Sequence, residues 1–326
     1  MSAEGSGHRD VRRTSKRLNP HERGEVAVVA EEARPRLGSR FFRAHGLGND
    51  YLVFEAGDEW TATPHAVRML CQRWRGLGSD GIVALLEPEP EGQRPFPLRM
   101  FNPDGSEFER SGNGLRVLGA WLHRSGRVAE ERFRVRSGGD DIGMRVHAVS
   151  DEGEYDISVR MGRANPSPEA VGLDPTLLTA HAAALPMQPV SVGNPHAVVF
   201  VQEMSPPLTL SDTHLRELGS LLSANTAFRQ GTNVQLVRVE RDGRLRIAIW
   251  ERGVGKTYAS GSSSCAAAVA AVHRGRIPPG TVVVEMEGGT MEVTVSAELD
   301  VILRGPVREV CEGRLTARFI RSLTGE

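Results

Sequence analysis

Two short stretches of this chain combine residue types that could move a proton at carbon. The first is Asn102-Pro103-Asp104-Gly105-Ser106-Glu107, followed by Ser111-Gly112-Asn113-Gly114. The second is Glu251-Arg252-Gly253-Val254-Gly255, followed by Ser260-Gly261-Ser262. In each, a serine and a glycine open a run of small residues that the spacing predicts as a helix. Helix starts carry free backbone N–H groups and the positive end of the helix dipole, so they hold carboxylates. Two such starts facing one cleft would grip a carboxylate and flank the adjacent carbon with one side chain each. That geometry suits inversion: one group removes a proton from one face while the other returns one to the opposite face. Either serine taken alone reads equally as an N-cap, a role that Ser fills well.

Other signals for chemistry fail on context. Gly76-Leu77-Gly78-Ser79-Asp80-Gly81 has the GxGxxG spacing, but a dinucleotide loop must open a helix, and Ile82-Val83-Ala84-Leu85-Leu86 reads as a strand. Gly255-Lys256-Thr257 resembles the end of a phosphate loop, yet Trp250 stands where the first glycine is needed. Neither serine lies in GxSxG. His196 is the best base for a hydrolase, and nothing in the sequence positions it. Lysines are Lys16 and Lys256 only, against 40 basic residues. With Lys16 in an expected tail, a pyridoxal phosphate mechanism has little to work with. Cys71, Cys265 and Cys311 stand far apart without a CxxC, which points to a reducing compartment. No His/Cys cluster has metal-ligand spacing, so neither a metal nor a cofactor is expected.

The elements that must position the two serines follow from composition and periodicity. The chain has 326 residues, 39% hydrophobic and 25% charged, with a formal net charge of -1. That is the size of two ordinary domains and a poor match to nucleic acid. No apolar run approaches the ~18 residues of a membrane span. The N-terminus lacks an apolar signal core, so the cytoplasm is the expected location. Residues 1–38 are Arg-rich and aperiodic and are predicted to be a disordered extension. Strands are predicted at 41–44, 51–55, 82–86 and 98–101, with helices over 65–75 and 112–124. Residues 130–160 read as a strand pair around a Gly-Asp turn. Further strands are predicted at 189–192, 197–201, 233–240 and 245–250, helices at 212–224 and 262–274, and alternation again over 281–304. Asn102 precedes Ser111 by nine residues, and Glu251 precedes Ser260 by nine. A duplicated α+β unit with a cleft between the copies is the simplest reading.

Over about residues 41–318 the chain resembles the diaminopimelate epimerase family. The segments that carry the resemblance are HGLGNDYLVFE (45–55), GLGSDGIVALLE (76–87), FNPDGSEFERSGNGLR (101–116), VGNPHAVVF (192–200), GTNVQ (231–235) and ERGVGKTYASGSSSCAAA (251–268). The resemblance implies an α+β fold of two pseudo-symmetric lobes, each a curved, mostly antiparallel sheet around a central helix, with a cleft between them. The lobes would be 39–155 and 156–306, with 307–326 returning to the first lobe as a C-terminal strand.

It also implies a cofactor-independent epimerase that turns LL- into meso-diaminopimelate for lysine and peptidoglycan precursor synthesis. The partner would be a small amino-acid substrate, with no nucleic acid and no membrane, and a homodimer is allowed. Ser111 and Ser260 would be the catalytic positions. Asn49, Asn102, Asn194, Asn233, Glu251 and Arg252 match family substrate contacts. Gly112, Asn113, Gly261 and Ser262 match the helix-start donors to the reacting carboxylate, and His196 matches an auxiliary position.

The departure lies in the acid–base pair. The family uses two cysteines, and here both positions are serine. Lys256 also replaces a usual acidic residue. A thiol with a pKa near 8.5 ionises far more readily than a serine hydroxyl, which needs a partner base. A diverged isomerase or dehydratase on a related amino acid, and an inactive ligand-binding homologue, are therefore the alternative readings.

Overall fold

A computed structural model describes residues 33–87, 95–128 and 132–324. Buried residues alternate with exposed ones along most of its strands, so each strand presents one face to a core. The first half runs β1 (Arg36–Gly46), β2 (Asn49–Ala56), β3 (Trp60–Thr61), α1 (Pro64–Cys71), β4 (Ile82–Leu85), β5 (Phe96–Phe101), β6 (Glu107–Phe108), α2 (Gly112–Arg124), β7 (Arg132–Ser137), β8 (Asp140–Val149) and β9 (Glu154–Arg163). The second runs α3 (Ala180–Ala183), β10 (Met187–Ser191), β11 (Pro195–Phe200), α4 (Asp212–Ser223), β12 (Asn233–Val239), β13 (Leu245–Glu251), β14 (Gly255–Thr257), α5 (Gly261–His273), β15 (Gly280–Met286), β16 (Gly289–Val295), β17 (Asp300–Arg314) and α6 (Ala317–Leu323).

The strand pairings close on themselves. In the first half the order is β1-β2-β4-β5-β7-β8-β9-β17 and back to β1, with β2–β4 and β5–β7 parallel. In the second it is β10-β11-β12-β13-β15-β16-β17, with β11–β12 and β13–β15 parallel. A bridge between Asn165, just past β9, and Ser191 of β10 completes this second ring. The same succession of pairings thus occurs twice, and β9 and β17 serve both rings.

One helix fills each ring. In α2, Gly112 through Ala120 are all buried, and a Cβ on Gly119 would come within 3.0 Å of Met144. In α5, Cys265 through Ala271 are buried on every side. Small residues are required here because the surrounding strands leave no space for larger ones.

Several expectations are corrected. β1 starts at Arg36, and Leu37 is fully buried, pairing with Ala56 and Trp60, so the ordered chain begins before residue 39. The rest of the predicted extension, up to residue 32, lies outside the described residues. α1 ends at Cys71 rather than 75, because the chain turns back at Gly76, where a Cβ would strike the carbonyl oxygens of Met69 and Leu70. Residues 130–160 hold three strands, since a second turn at Ser150–Gly153 adds a hairpin. The C-terminal segment is not strand throughout. β17 ends at Arg314, and α6 follows, capped by Thr316, whose side chain accepts from Phe319 N–H.

Candidate active site

Ser111 caps α2: its Oγ accepts from Gly114 N–H at 3.1 Å. The Tyr51 phenol from β2 lies 3.1 Å from the same oxygen. Tyr51 is buried, and burial pushes its phenol up to about 12, so it stays protonated across the ordinary pH range. Two glycines hold its ring. A Cβ on Gly81 would sit 2.5 Å from Tyr51 Cε1, and one on Gly114 would sit 3.1 Å from it.

Ser260 caps α5 in the same way, with a longer 3.5 Å bond from Ser263 N–H and Ser262 Oγ at 3.4 Å. Its neighbour is different. The Glu251 carboxylate at the end of β13 has its pKa raised by burial, and a hydrogen bond from Ser260 offsets part of that rise. The hydroxyl on α2 therefore has a phenol as its side-chain neighbour, whereas the one on α5 has a carboxylate, which when ionised can only accept.

The two helix starts meet at one side chain. Leu303 Cδ2 of β17 would lie 2.6 Å from a Cβ on Gly112 and 2.8 Å from a Cβ on Gly261. Glycine at both positions lets the two backbones close on that fully buried leucine. Above it opens a cleft of about 1000 Å³ whose walls include Ser111, Ser260, Glu251, Arg252, Asn102 and Asn194. All twelve residues expected as catalytic or substrate-contacting line this cleft. His196 does not: it is fully buried behind the wall.

Hydrogen bonds narrow what several side chains can offer. Asn113 Nδ2 donates to Asn49 O at 2.7 Å and Asn49 Oδ1 at 2.6 Å, and Asn49 Nδ2 donates to Asp80 Oδ2 at 3.0 Å. Asn113 Oδ1 accepts from Arg116 Nη2 at 2.7 Å. Both asparagines thus hold each other, and Asn113 faces the cleft with its backbone N–H. Asn233 Oδ1 accepts from Arg252 N–H at 2.9 Å while its Nδ2 donates to Pro195 O at 3.3 Å. Asn102 Nδ2 donates to Ser106 Oγ at 2.9 Å.

Arg116 is fully buried, and burial lowers it to about 10, so it remains a cation at neutral pH. Its Nε donates to Gly112 O at 3.2 Å, and Nη1 donates to Pro306 O at 3.4 Å. A positive charge thus braces the first turn of α2.

His196 Nε2 donates to Asn194 Oδ1 at 2.9 Å, and burial drives the ring down to about 3, which keeps it neutral. His196 Nδ1 and Gln235 Oε1 are both buried without a partner, while Gln235 Nε2 donates to Ser263 Oγ at 3.0 Å. Turning the Gln235 amide over would satisfy all three groups. Cys265 lies buried in α5 with its thiol pushed up to about 12, and it is not part of the cleft wall.

Tyr51, Arg116, Gln235 and Leu303 were not among the expected site residues. A signal for the first was present: Gly48-Asn49-Asp50-Tyr51 and Gly193-Asn194-Pro195-His196 are matching tetrads, each leading into a strand with a parallel neighbour. Among the described residues no group of three or more His, Cys, Asp or Glu could hold a metal ion. No described helix is long and apolar enough to cross a membrane.

The chain is similar to known proteins. The family model described as diaminopimelate epimerase matches residues 41–166 and 189–310. "Diaminopimelate epimerase 2" of Nostoc sp. is 34% identical over 86% of this chain and 96% of its own length. The diaminopimelate epimerase of Desulforudis audaxviator is 35% identical over 84% and 98%. Among solved structures, a hydroxyproline epimerase from Agrobacterium vitis superposes with a TM-score of 0.62 at 16% identity, covering 86% of this chain and 92% of that one. Methylitaconate-delta-isomerase gives 0.57 at 14% identity, covering 88% and 97%.

Proposed function

Because this chain belongs to the diaminopimelate epimerase family, we propose that it inverts the α-carbon of an amino acid without a cofactor, with diaminopimelate as substrate. The carboxylate next to the reacting carbon lies between the two helix starts. It accepts N–H groups of Gly112 and Asn113 on one side and of Gly261 and Ser262 on the other. Asn102, Asn194, Asn233 and Arg252 face the non-reacting end, with Asn49 bracing Asn113.

Proton transfer follows the polarity of the neighbours. Ser260 Oγ takes the α-proton as its own proton passes to the Glu251 carboxylate. The electron pair left on carbon delocalises into the carboxylate, where the helix starts stabilise the added charge. Ser111 then gives its proton to the opposite face of the carbon while its neighbours hold the oxygen, and exchange with solvent returns a proton to Ser111 and removes the one on Glu251 before the next turnover.

The observation that carries this reading is the shared Leu303 methyl, which brings Gly112 and Gly261, and with them the two serines, to one cleft. The test is to incubate the protein with LL-diaminopimelate in deuterated water and follow the α-proton by NMR. Exchange with inversion supports the reading. Binding without exchange supports a ligand-binding homologue, and no binding points to another substrate. The hydroxyl pair itself favours a second reading, an isomerase for a related substrate whose α-carbon is more acidic, because serine is the weaker base.

A further inference from the structure

We propose that Tyr51 is a positioning residue for the α2 side of the cleft: its phenol donates to Ser111 Oγ and turns the serine's own proton toward the substrate. This role rests on the reading above. A serine oxygen accepts two hydrogen bonds and donates one. Gly114 N–H, 3.1 Å away, takes one lone pair. The phenol, also at 3.1 Å, stands at the other. Among the described residues Ser111 is the hydrogen-bond partner of this phenol, and a buried phenol O–H needs an acceptor. A phenol is also the better donor of the two hydroxyls. With both lone pairs engaged, the Ser111 proton has one direction left, into the cleft.

The ring is built in place rather than resting there. Gly81 and Gly114 pack against the ring carbon Cε1 so closely that neither could carry a side chain without displacing it. Removing the hydroxyl but keeping the ring therefore isolates the contact. No phenol reaches Ser260, whose side-chain hydroxyl neighbour is Ser262 at a longer 3.4 Å. The parallel residue of the other tetrad, His196, hydrogen-bonds Asn194 instead.

The test replaces the hydroxyl with a reporter that titrates. In Ser111→Cys protein, the alkylation rate at position 111 is measured against pH by mass spectrometry, which separates it from the exposed Cys311. Adding Tyr51→Phe removes one donor to the thiolate. The alkylation midpoint should rise by about one pH unit, a tenfold loss of thiolate on the acid side. In Ser260→Cys protein the same Tyr51→Phe change should leave the midpoint where it was. An unchanged midpoint at 111, or equal shifts at both positions, overturns the proposal. If phenylalanine at 51 prevents folding, 3-fluorotyrosine there strengthens the donor and must lower the midpoint at 111. Because no substrate is used, failure here is separate from failure of the epimerase reading.

Discussion

The two helix starts are built on one plan and differ in what surrounds the hydroxyl. Ser111 lies between a backbone N–H and a buried phenol. Ser260 lies beside a half-buried carboxylate, an acceptor. The strand tetrads that precede the parallel pairs differ likewise. Tyr51 reaches across to its helix start, whereas His196 turns away into the core as a neutral ring. The two halves thus have matching backbones, and side chains within them give the two hydroxyls different neighbours.

The largest test replaces both hydroxyls at once. Changing Ser111 and Ser260 together to Cys should raise the rate of α-proton exchange by about 10³ or more, because a thiol lowers the barrier by ~4 kcal/mol or more. No gain in the NMR exchange assay would mean that the substrate is not held in a reactive pose.

Next, Glu251→Gln removes the acceptor on the α5 side. Exchange should fall by about 10² or more. In the unaltered protein kcat/KM should drop as pH falls through the Glu251 pKa, because the carboxylate must be ionised to accept. Burial raises that pKa, so the drop should lie above the ordinary carboxylate range. Loss of this acid limb in the Gln variant is the readout.

Leu303→Ala takes away the wedge that both halves share. Unfolding in denaturant should show a loss of about 2–4 kcal/mol, the usual cost of such a cavity in a core.

The smallest effect concerns the member that turned away. Burial holds the folded His196 near 3 against an unfolded value near 6.5, so the folded state binds one proton fewer between those values. Its ring signals should stay fixed from pH 5 to 8, and its contribution to stability should shrink as pH falls below 6.5. A ring titrating near 6.5 would contradict this.

Much of this arrangement was legible in the sequence. The span 112–124 for α2 and the cap residues Ser111 and Ser260 follow from local spacing, and local hydrogen bonds make them. The nine-residue spacing in both halves marks a duplication that the repeated pairings display. What stayed hidden depends on distant parts of the chain. Tyr51 and Ser111 are 60 residues apart, and nothing in their spacing brings them together. The resemblance makes Asn49 a substrate contact and Asn113 a helix-start donor, and nothing in the sequence signals that their side chains bond each other. Leu303 is one apolar residue in an alternating strand, and its contact with two helix starts arises only once both rings close.

β17 carries a lasting consequence. Its fifteen residues pair with β16 and β9 near one end and with β1 near the other. Whatever ancestral gene was copied, its two descendants can no longer live as separate proteins. Each would be missing a stave that the other owns, and would expose raw edges along the gap. Shared ownership binds the two rings into one structure.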